Sequence, residues 1–294
     1  MKYVLLLAAC SACTADLGPD HPWQGFADLT TLAAPMTAEP KTPDLPPPAL
    51  GQRTIPAWPL RVVTYNTEYG EDPQGLADAI LDTPELASAG VFLLQEEEYH
   101  PEEGTSRAQQ LAELVGLDYI YIPARTKGDG THGLAIMTAF PLENIEMMDL
   151  PLADNGVQRI AVQADVVAGD RTLHVIDVHL ETRLSPSDRV EQLHPAVIDA
   201  PPETLVAGDF NTNWVTWAGD VPVLAAEHDQ VPILNSYMAA VGFDAPSADS
   251  GPTEHMYGLE FKLDSIYTRG LSTTFGGVVK VGPSDHWPMY IDVH

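Results

Sequence analysis

The chain has 294 residues, 45% of them apolar, enough for one large domain or two ordinary ones around a sizeable core. Its 14 Lys and Arg face 42 Asp and Glu, for a formal net charge of -28. Such a surface repels polyanions, and no basic run offers the clustered phosphate contacts that non-specific nucleic-acid binding needs, although a local patch could still act within the ~8–10 Å reach of charge in salt.

The first residues read as an export signal. Lys2 is the sole charge ahead of the apolar core Tyr3 to Ala9, which is far short of the ~20 residues needed to span a bilayer. Leu7-Ala8-Ala9-Cys10 resembles the lipobox of bacterial lipoproteins. That resemblance implies cleavage before Cys10, acylation of its thiol and, from Ser11, a place at the outer membrane. The alternative is a secretory signal cut near Ala12 and a secreted product. Cys10 and Cys13 are the only cysteines, so the folded domain has no disulfide to form. Prolines then crowd the chain, Pro46-Pro47-Pro48 among them, as in a stiff extended linker. The expected organisation is a signal and lipobox over residues 1–13, a linker over 14–58 and one domain over 59–294. Trp23, Phe26 and Trp58 leave open a linker that lies on the domain.

Leu60 to Tyr65 predicts a strand rich in β-branched residues that ends at Asn66. A short helix over Gly75 to Asp82 precedes a second apolar strand, Val91 to Leu94, which ends at Gln95-Glu96. A carboxylate emerging from a buried strand suits a hard divalent cation, so Glu96 is a candidate ligand. Glu97, Glu98, Glu102 and Glu103 read as a solvated acidic loop. Ser106 to Val115 has helical spacing, with Leu111, Leu114 and Val115 on its apolar face. Tyr119 to Pro123 and Leu134 to Thr138 predict strands flanking a Gly-rich loop, Gly128 to Gly133. His132 in that loop, and Arg125 and Lys127 before it, are either ordinary loop residues or contacts for a phosphate.

Ile160 to Val167 and Leu173 to Leu180 alternate and are joined by Ala168-Gly169-Asp170-Arg171, a hairpin signal that makes part of the sheet antiparallel. Arg159 opens the first strand and His179 closes the second. A helix is expected over Asp188 to Ile198, with Arg189 and Gln192 on one face. The run Leu205-Val206-Ala207 predicts a buried strand that ends at Gly208 and delivers Asp209 and Asn211, spaced by two, to one face of an extended chain. A carboxylate and a carboxamide so placed suit a water molecule beside a divalent metal. A helix over Ile233 to Val241, a strand over Leu263 to Thr268 carrying Asp264, and Ser284-Asp285-His286 before a last strand, Trp287 to Val293, complete the pattern.

The ordered set Asn66, Gln95-Glu96, His179-Leu180, Gly208-Asp209-Phe210-Asn211, Asp264-x-Ile266 and Ser284-Asp285-His286 resembles the endonuclease/exonuclease/phosphatase superfamily over about Leu60 to Val293. Gly133 to Leu142 and the helix start at Arg189 fit the same pattern. Leu134 and Thr138-Ala139 depart from it, since relatives often carry Asn after the glycine and Ser-Arg before the aromatic-Pro pair. The resemblance implies a four-layer α/β sandwich, two packed mixed β-sheets flanked by helices.

It also implies hydrolysis of a phosphate ester with Mg²⁺ or Mn²⁺ as cofactor, which would neutralise charge and stabilise the leaving oxygen. Glu96 would be the first metal ligand, supported by Asn66 and Asp285. Asp209 would orient and deprotonate water, Asn211 would hold the phosphoryl oxygen, and Asp264 would orient His286, which shares the base role or binds phosphate. His179 would donate to the phosphoryl group as charge builds up. Arg159 and His132 are further candidate phosphate contacts. With so few cations, a small or lipid phosphate ester is expected ahead of nucleic acid, and the membrane is the expected partner through Cys10. No protein partner is implied. A secreted endonuclease or a non-catalytic surface lipoprotein are the alternatives.

Overall fold

The computed structural model describes residues 53–152, 156–212, 215–218, 221–224, 230–256 and 258–294. The export signal, Cys10 and the linker before residue 53 lie outside the described residues. In chain order the elements are β1 (Leu60–Asn66), a 3-10 turn (Glu68–Gly70), α1 (Pro73–Asp82), α2 (Pro84–Ala87), β2 (Val91–Tyr99), α3 (Arg107–Val115), β3 (Asp118–Lys127), β4 (Gly130–Thr138) and β5 (Leu142–Asp149). There follow β6 (Ile160–Ala168), β7 (Arg171–His179), α4 (Pro186–Val197), β8 (Thr204–Asp209), β9 (Val215–Ala218), β10 (Val221–Leu224) and α5 (Gln230–Ala240). The last are β11 (Glu254–Met256), β12 (Leu259–Phe261), β13 (Asp264–Arg269), β14 (Thr273–Val278) and β15 (Met289–Val293).

Two mixed sheets dominate, one ordered β14-β15-β1-β2-β4-β3 and one ordered β13-β8-β7-β6-β5. Each central strand is buried on both faces, so its sequence reads as one continuous apolar run. In β1, Leu60 and Val62 enter the core between the sheets, while Val63 and Tyr65 pack outward against α1 and α3. In β8, Leu205 and Ala207 point inward and Val206 points outward to α4 and α5. The result is the expected helix–sheet–sheet–helix sandwich.

Helix starts follow local chemistry. The Asp72 carboxylate accepts from Gly75 N at 2.9 Å, Ser106 Oγ from Gln109 N at 3.1 Å, and Ser185 Oγ from Asp188 N at 3.2 Å. Pro73 and Pro186 occupy first-turn positions, where a missing N–H costs nothing. These caps begin α1 and α4 two residues before the periodicity does.

The structure differs from the sequence-based expectation in several places. The stretch expected as a Gly-rich loop is instead a tight β3–β4 hairpin, and His132 lies on β4. β2 does not stop at Gln95 but runs to Tyr99, so Glu97 and Glu98 are buried strand residues rather than a solvated loop. Six strands, β5, β9, β10, β11, β12 and β14, have no counterpart in that expectation. β5 is a half-exposed edge strand with a bulge between Glu143 and Glu146, and β14 carries two glycines and a bulge, so neither alternates cleanly. The segment before β1 docks on the domain: Trp58 Nε1 donates to Ala168 O at 2.7 Å, and the Arg171 guanidinium lies 3.6 Å over its ring.

Candidate active site

Three strands of the second sheet carry a level row of side chains. Asp209 at the end of β8 is directly opposite His179 on parallel β7 and Asp264 on antiparallel β13. Register alone therefore places an imidazole and two carboxylates side by side. Gly208 makes the row possible. Its φ is +147°, and an added Cβ would lie 1.9 Å from the Val178 carbonyl oxygen, so β7 and β8 approach too closely there for any side chain.

The first sheet supplies the facing groups. Asn66 ends β1, level with Gln95 on β2. Between Gln95 and Glu97 the β2–β4 pairing slips by one residue, and Glu96 is the extra residue, with φ +64°. The bulge inverts the alternation of faces. Gln95 Nε2 reaches across to Asp177 Oδ1 of the other sheet at 2.7 Å, whereas Glu97 turns outward to Thr67 Oγ1 at 3.0 Å. Glu96 is thereby aimed into the cleft.

Asp209 Oδ2 is the hub. Asn66 Nδ2 donates to it at 3.0 Å, His179 Nε2 lies at 3.5 Å and His286 Nε2 at 3.8 Å. Asn66 Nδ2 also reaches Glu96 Oε1 at 3.3 Å, and His179 Nε2 stands 3.9 Å from the same oxygen. The other Asp209 oxygen accepts from Asn211 N at 2.8 Å. His286 Nδ1 pairs with Asp264 Oδ2 at 2.8 Å, while Asp264 N donates to Thr253 Oγ1. Ser284 Oγ donates to Asn66 O at 2.7 Å and accepts from His286 N, which ties the entry to β15 onto the end of β1.

The two histidines are driven apart in charge. Burial opposes charging His286, but Asp264, Asp209 and Glu254 outweigh it and hold the imidazolium well above the usual histidine range. Burial, then Arg159, His132 and His286, pushes His179 well below that range. At neutral pH one is a cationic donor and the other a neutral imidazole, a division of labour typical of acid–base sites.

On the other side of the cleft, His132 Nδ1 sits 3.2 Å from Glu98 Oε1, and its ring lies 6.3 Å from that of His179. Arg159 contacts Glu181 Oε2 through Nε at 3.4 Å. A shallow, open depression is lined here by Ala124, His132, Gly133, Gln158, Arg159 and His179.

The sequence profile of the Endonuclease/Exonuclease/phosphatase family matches residues 63–291. The chain belongs to that family. It is 25% identical over 259 residues to the uncharacterized protein YbhP of Escherichia coli strain K12, covering 80% of this chain and 96% of that one. Among solved structures it is similar to an endonuclease/exonuclease/phosphatase family protein from Leptotrichia buccalis, with TM-score 0.61 and 15% identity over 80% of this chain and 99% of that one. A mannosyl-6-phosphatase from Bacteroides thetaiotaomicron aligns with TM-score 0.57 and 16% identity over 80% and 99% of the two chains. Members of the endonuclease/exonuclease/phosphatase family hydrolyse phosphate esters and usually use a divalent metal.

The donor set of this family member fits such an ion. Asp209 and Asp264 offer carboxylate oxygens that lie within 4.8 Å of each other and of a ring nitrogen of His286. Asp264 Oδ1 is buried without a hydrogen-bond partner among the described residues. Burial and the Asp209 charge raise the Glu96 pKa, and burial pushes Glu254 up to about 8 despite His286, with Asp209 beside it. Crowded buried carboxylates of this kind are what a hard, oxygen-seeking cation offsets.

Two candidates from the sequence sit differently. Asp285 is half-buried, its N–H donating to Glu68 Oε2 at 3.0 Å, and like Glu96 it stands outside the buried group of Asp209, Asp264 and His286. Asn211, in the left-handed region at φ +52°, uses Nδ2 to hold Leu180 O at 2.9 Å and so ties the loop after β8 to the end of β7. Glu254 and Thr253 escaped sequence reasoning. Glu254 pairs with His286 through an isolated β-bridge, and only the order Thr-Glu-His after Gly251-Pro252 hinted at polar residues worth placing.

Proposed function

We propose that the protein is a divalent-metal-dependent phosphoesterase, using Mg²⁺ or Mn²⁺, whose substrate is a small or lipid phosphate ester rather than nucleic acid. The observation that carries this reading is the Asp209 carboxylate encircled by Asn66, His179 and His286. A cation held by Glu96, Asp209 and Asp264, with Asn66 in support, would neutralise phosphoryl charge and ease departure of the alkoxide. Asp209, fixed by Asn66 and Asn211 N, orients a water and takes its proton. His286 is held cationic by Asp264 and meets the anionic phosphoryl oxygens, a role its raised pKa favours over that of general base. Neutral His179 donates through Nε2 as charge develops on the phosphoryl group.

The preference for small or lipid esters rests on the net charge of -28 and on the absence of a basic run. The lipobox-like Leu7 to Cys10 supports export and a lipid tether on Cys10 at the outer membrane. The purified protein should be given plasmid DNA, bis-p-nitrophenyl phosphate and sphingomyelin in parallel, each with and without EDTA. Metal-dependent release from either of the last two is expected, and rapid cleavage of DNA alone would overturn the substrate class. Fatty-acid labelling should depend on Cys10.

A further inference from the structure

A chain so acidic places two arginines, from different sheets, beside its reaction centre. Arg125 lies on β3 and Arg159 directly before β6. The β3–β4 pairing slips between Pro123 and Arg125, and the extra residue, Ala124, lines the cleft. Gly133 permits the bend: an added Cβ would lie 2.0 Å from the Ile122 carbonyl oxygen. After the bulge Arg125 is directly opposite His132. The Arg125 charge there helps to keep His132 neutral, so the imidazole opposite it adds no second positive charge.

The neighbouring cations are already engaged. Lys127 Nζ sits 2.6 Å from Glu98 Oε1 and 3.4 Å over the Tyr69 ring, and Arg107 Nη2 pairs with Glu103 at 2.8 Å. Arg125 differs. Its Nε is buried and has no hydrogen-bond partner among the described residues. Arg159 spends one edge on Glu181, and its main chain is clamped by Gln158, whose Nε2 donates to Leu150 O at 2.9 Å and to Arg159 O at 2.7 Å. Burial and the nearby Arg159 lower the Arg125 pKa, as expected of two guanidiniums that feel each other. A guanidinium fork matches two phosphoryl oxygens better than an ammonium would.

We propose that Arg125 and Arg159 form a second anion subsite beside the Asp209 centre, so that preferred substrates carry a second phosphoryl group near the scissile ester. This deepens the phosphoesterase reading and rests on it. The subsite residues are distinct from the cation-binding acids, and its occupant brings two negative charges to two arginines that nearby carboxylates only partly compensate.

Calorimetry with 1,3-propanediol bisphosphate and with propyl phosphate, in excess Mg²⁺, tests it on wild type, Arg125→Gln and Arg125→Lys. Wild type should bind the bisphosphate at least about tenfold tighter than the monophosphate, the scale of one hydrogen bond to a charged group. The ratio should fall towards one in Arg125→Gln and recover in part in Arg125→Lys. An unchanged ratio in Arg125→Gln, or none in wild type, overturns the subsite. Turnover of bis-p-nitrophenyl phosphate is followed in the same preparations. Turnover without discrimination means the subsite alone fails, whereas neither binding nor turnover means the phosphoesterase reading fails with it.

Discussion

The cleft has two unlike halves. On the β8–β13 side, Asp209, Asp264 and Glu254 crowd around one imidazolium, and burial raises what it costs to keep Asp264 and Glu254 charged. On the β3–β6 side, Arg125, Arg159 and His132 gather, and burial disfavours positive charge on Arg125 and His132 instead. Each half is uncomfortable alone, and each discomfort specifies the sign of what relieves it: a cation on one side, an anion on the other. Phosphate-ester hydrolysis with a divalent metal brings both at once.

Substitutions can break this contrast, beginning with the largest effect. Gly208→Ala should dismantle the acidic row, because a backbone carbonyl 1.9 Å from the new Cβ cannot move aside as a flexible side chain would. A loss of about 3 kcal/mol or more is expected, from the unfavourable φ and the clash together, read from the urea midpoint. A midpoint matching wild type would mean that β7 and β8 can separate freely.

Asp209→Asn keeps the shape and removes the proton acceptor. Turnover of bis-p-nitrophenyl phosphate should fall by about a hundredfold or more, with the unfolding midpoint little changed. Retention of activity within tenfold would remove Asp209 from the role of base. His286→Ala should cost a similar factor, since it deletes the cationic donor.

The basic half gives the smaller effect. His132 is held down to about 4 by burial, then by Arg125, against the pull of Glu98. Its folded-state pKa lies below the unfolded value of ~6.5, so the fold prefers it neutral. Stability should therefore be fully present above pH ~6.5 and should decline as pH falls from there towards 4. His132→Gln cannot take up that proton, so its melting temperature should fall less than that of wild type over the same window. Parallel curves for the two proteins would place His132 in a solvated setting it does not occupy here.

Much of this was legible in the sequence because strand ends carry the candidate site residues. Asn66, His179 and Asp209 each terminate an apolar run, and a run that stops at a polar residue announces both the strand and its exit. The sandwich was legible for the same reason, since strands buried on both faces cannot be mistaken for surface. What escaped was set by bulges and by neighbours distant in sequence. The sequence singled out Glu96 as a strand-end carboxylate but misjudged Glu97 and Glu98, because a one-residue slip at Glu96 is invisible in a run of three glutamates. Their burial depends on Thr67, His132 and Lys127, which no local pattern links to them. Arg125 was read as either an ordinary loop residue or a phosphate contact, since its orientation comes from the bulge after Pro123.

The central claim is that the acids around Asp209 gather a divalent cation for phosphate-ester cleavage. The most direct measurement is a titration of Mg²⁺ or Mn²⁺ into EDTA-treated protein, followed by calorimetry and by release of p-nitrophenolate from bis-p-nitrophenyl phosphate, for wild type and Glu96→Gln. The account predicts an inactive stripped protein, recovery of turnover along the same saturating curve as the heat, and a much weakened curve in Glu96→Gln. Full activity in EDTA, or metal binding unaltered by Glu96→Gln with turnover intact, would contradict it.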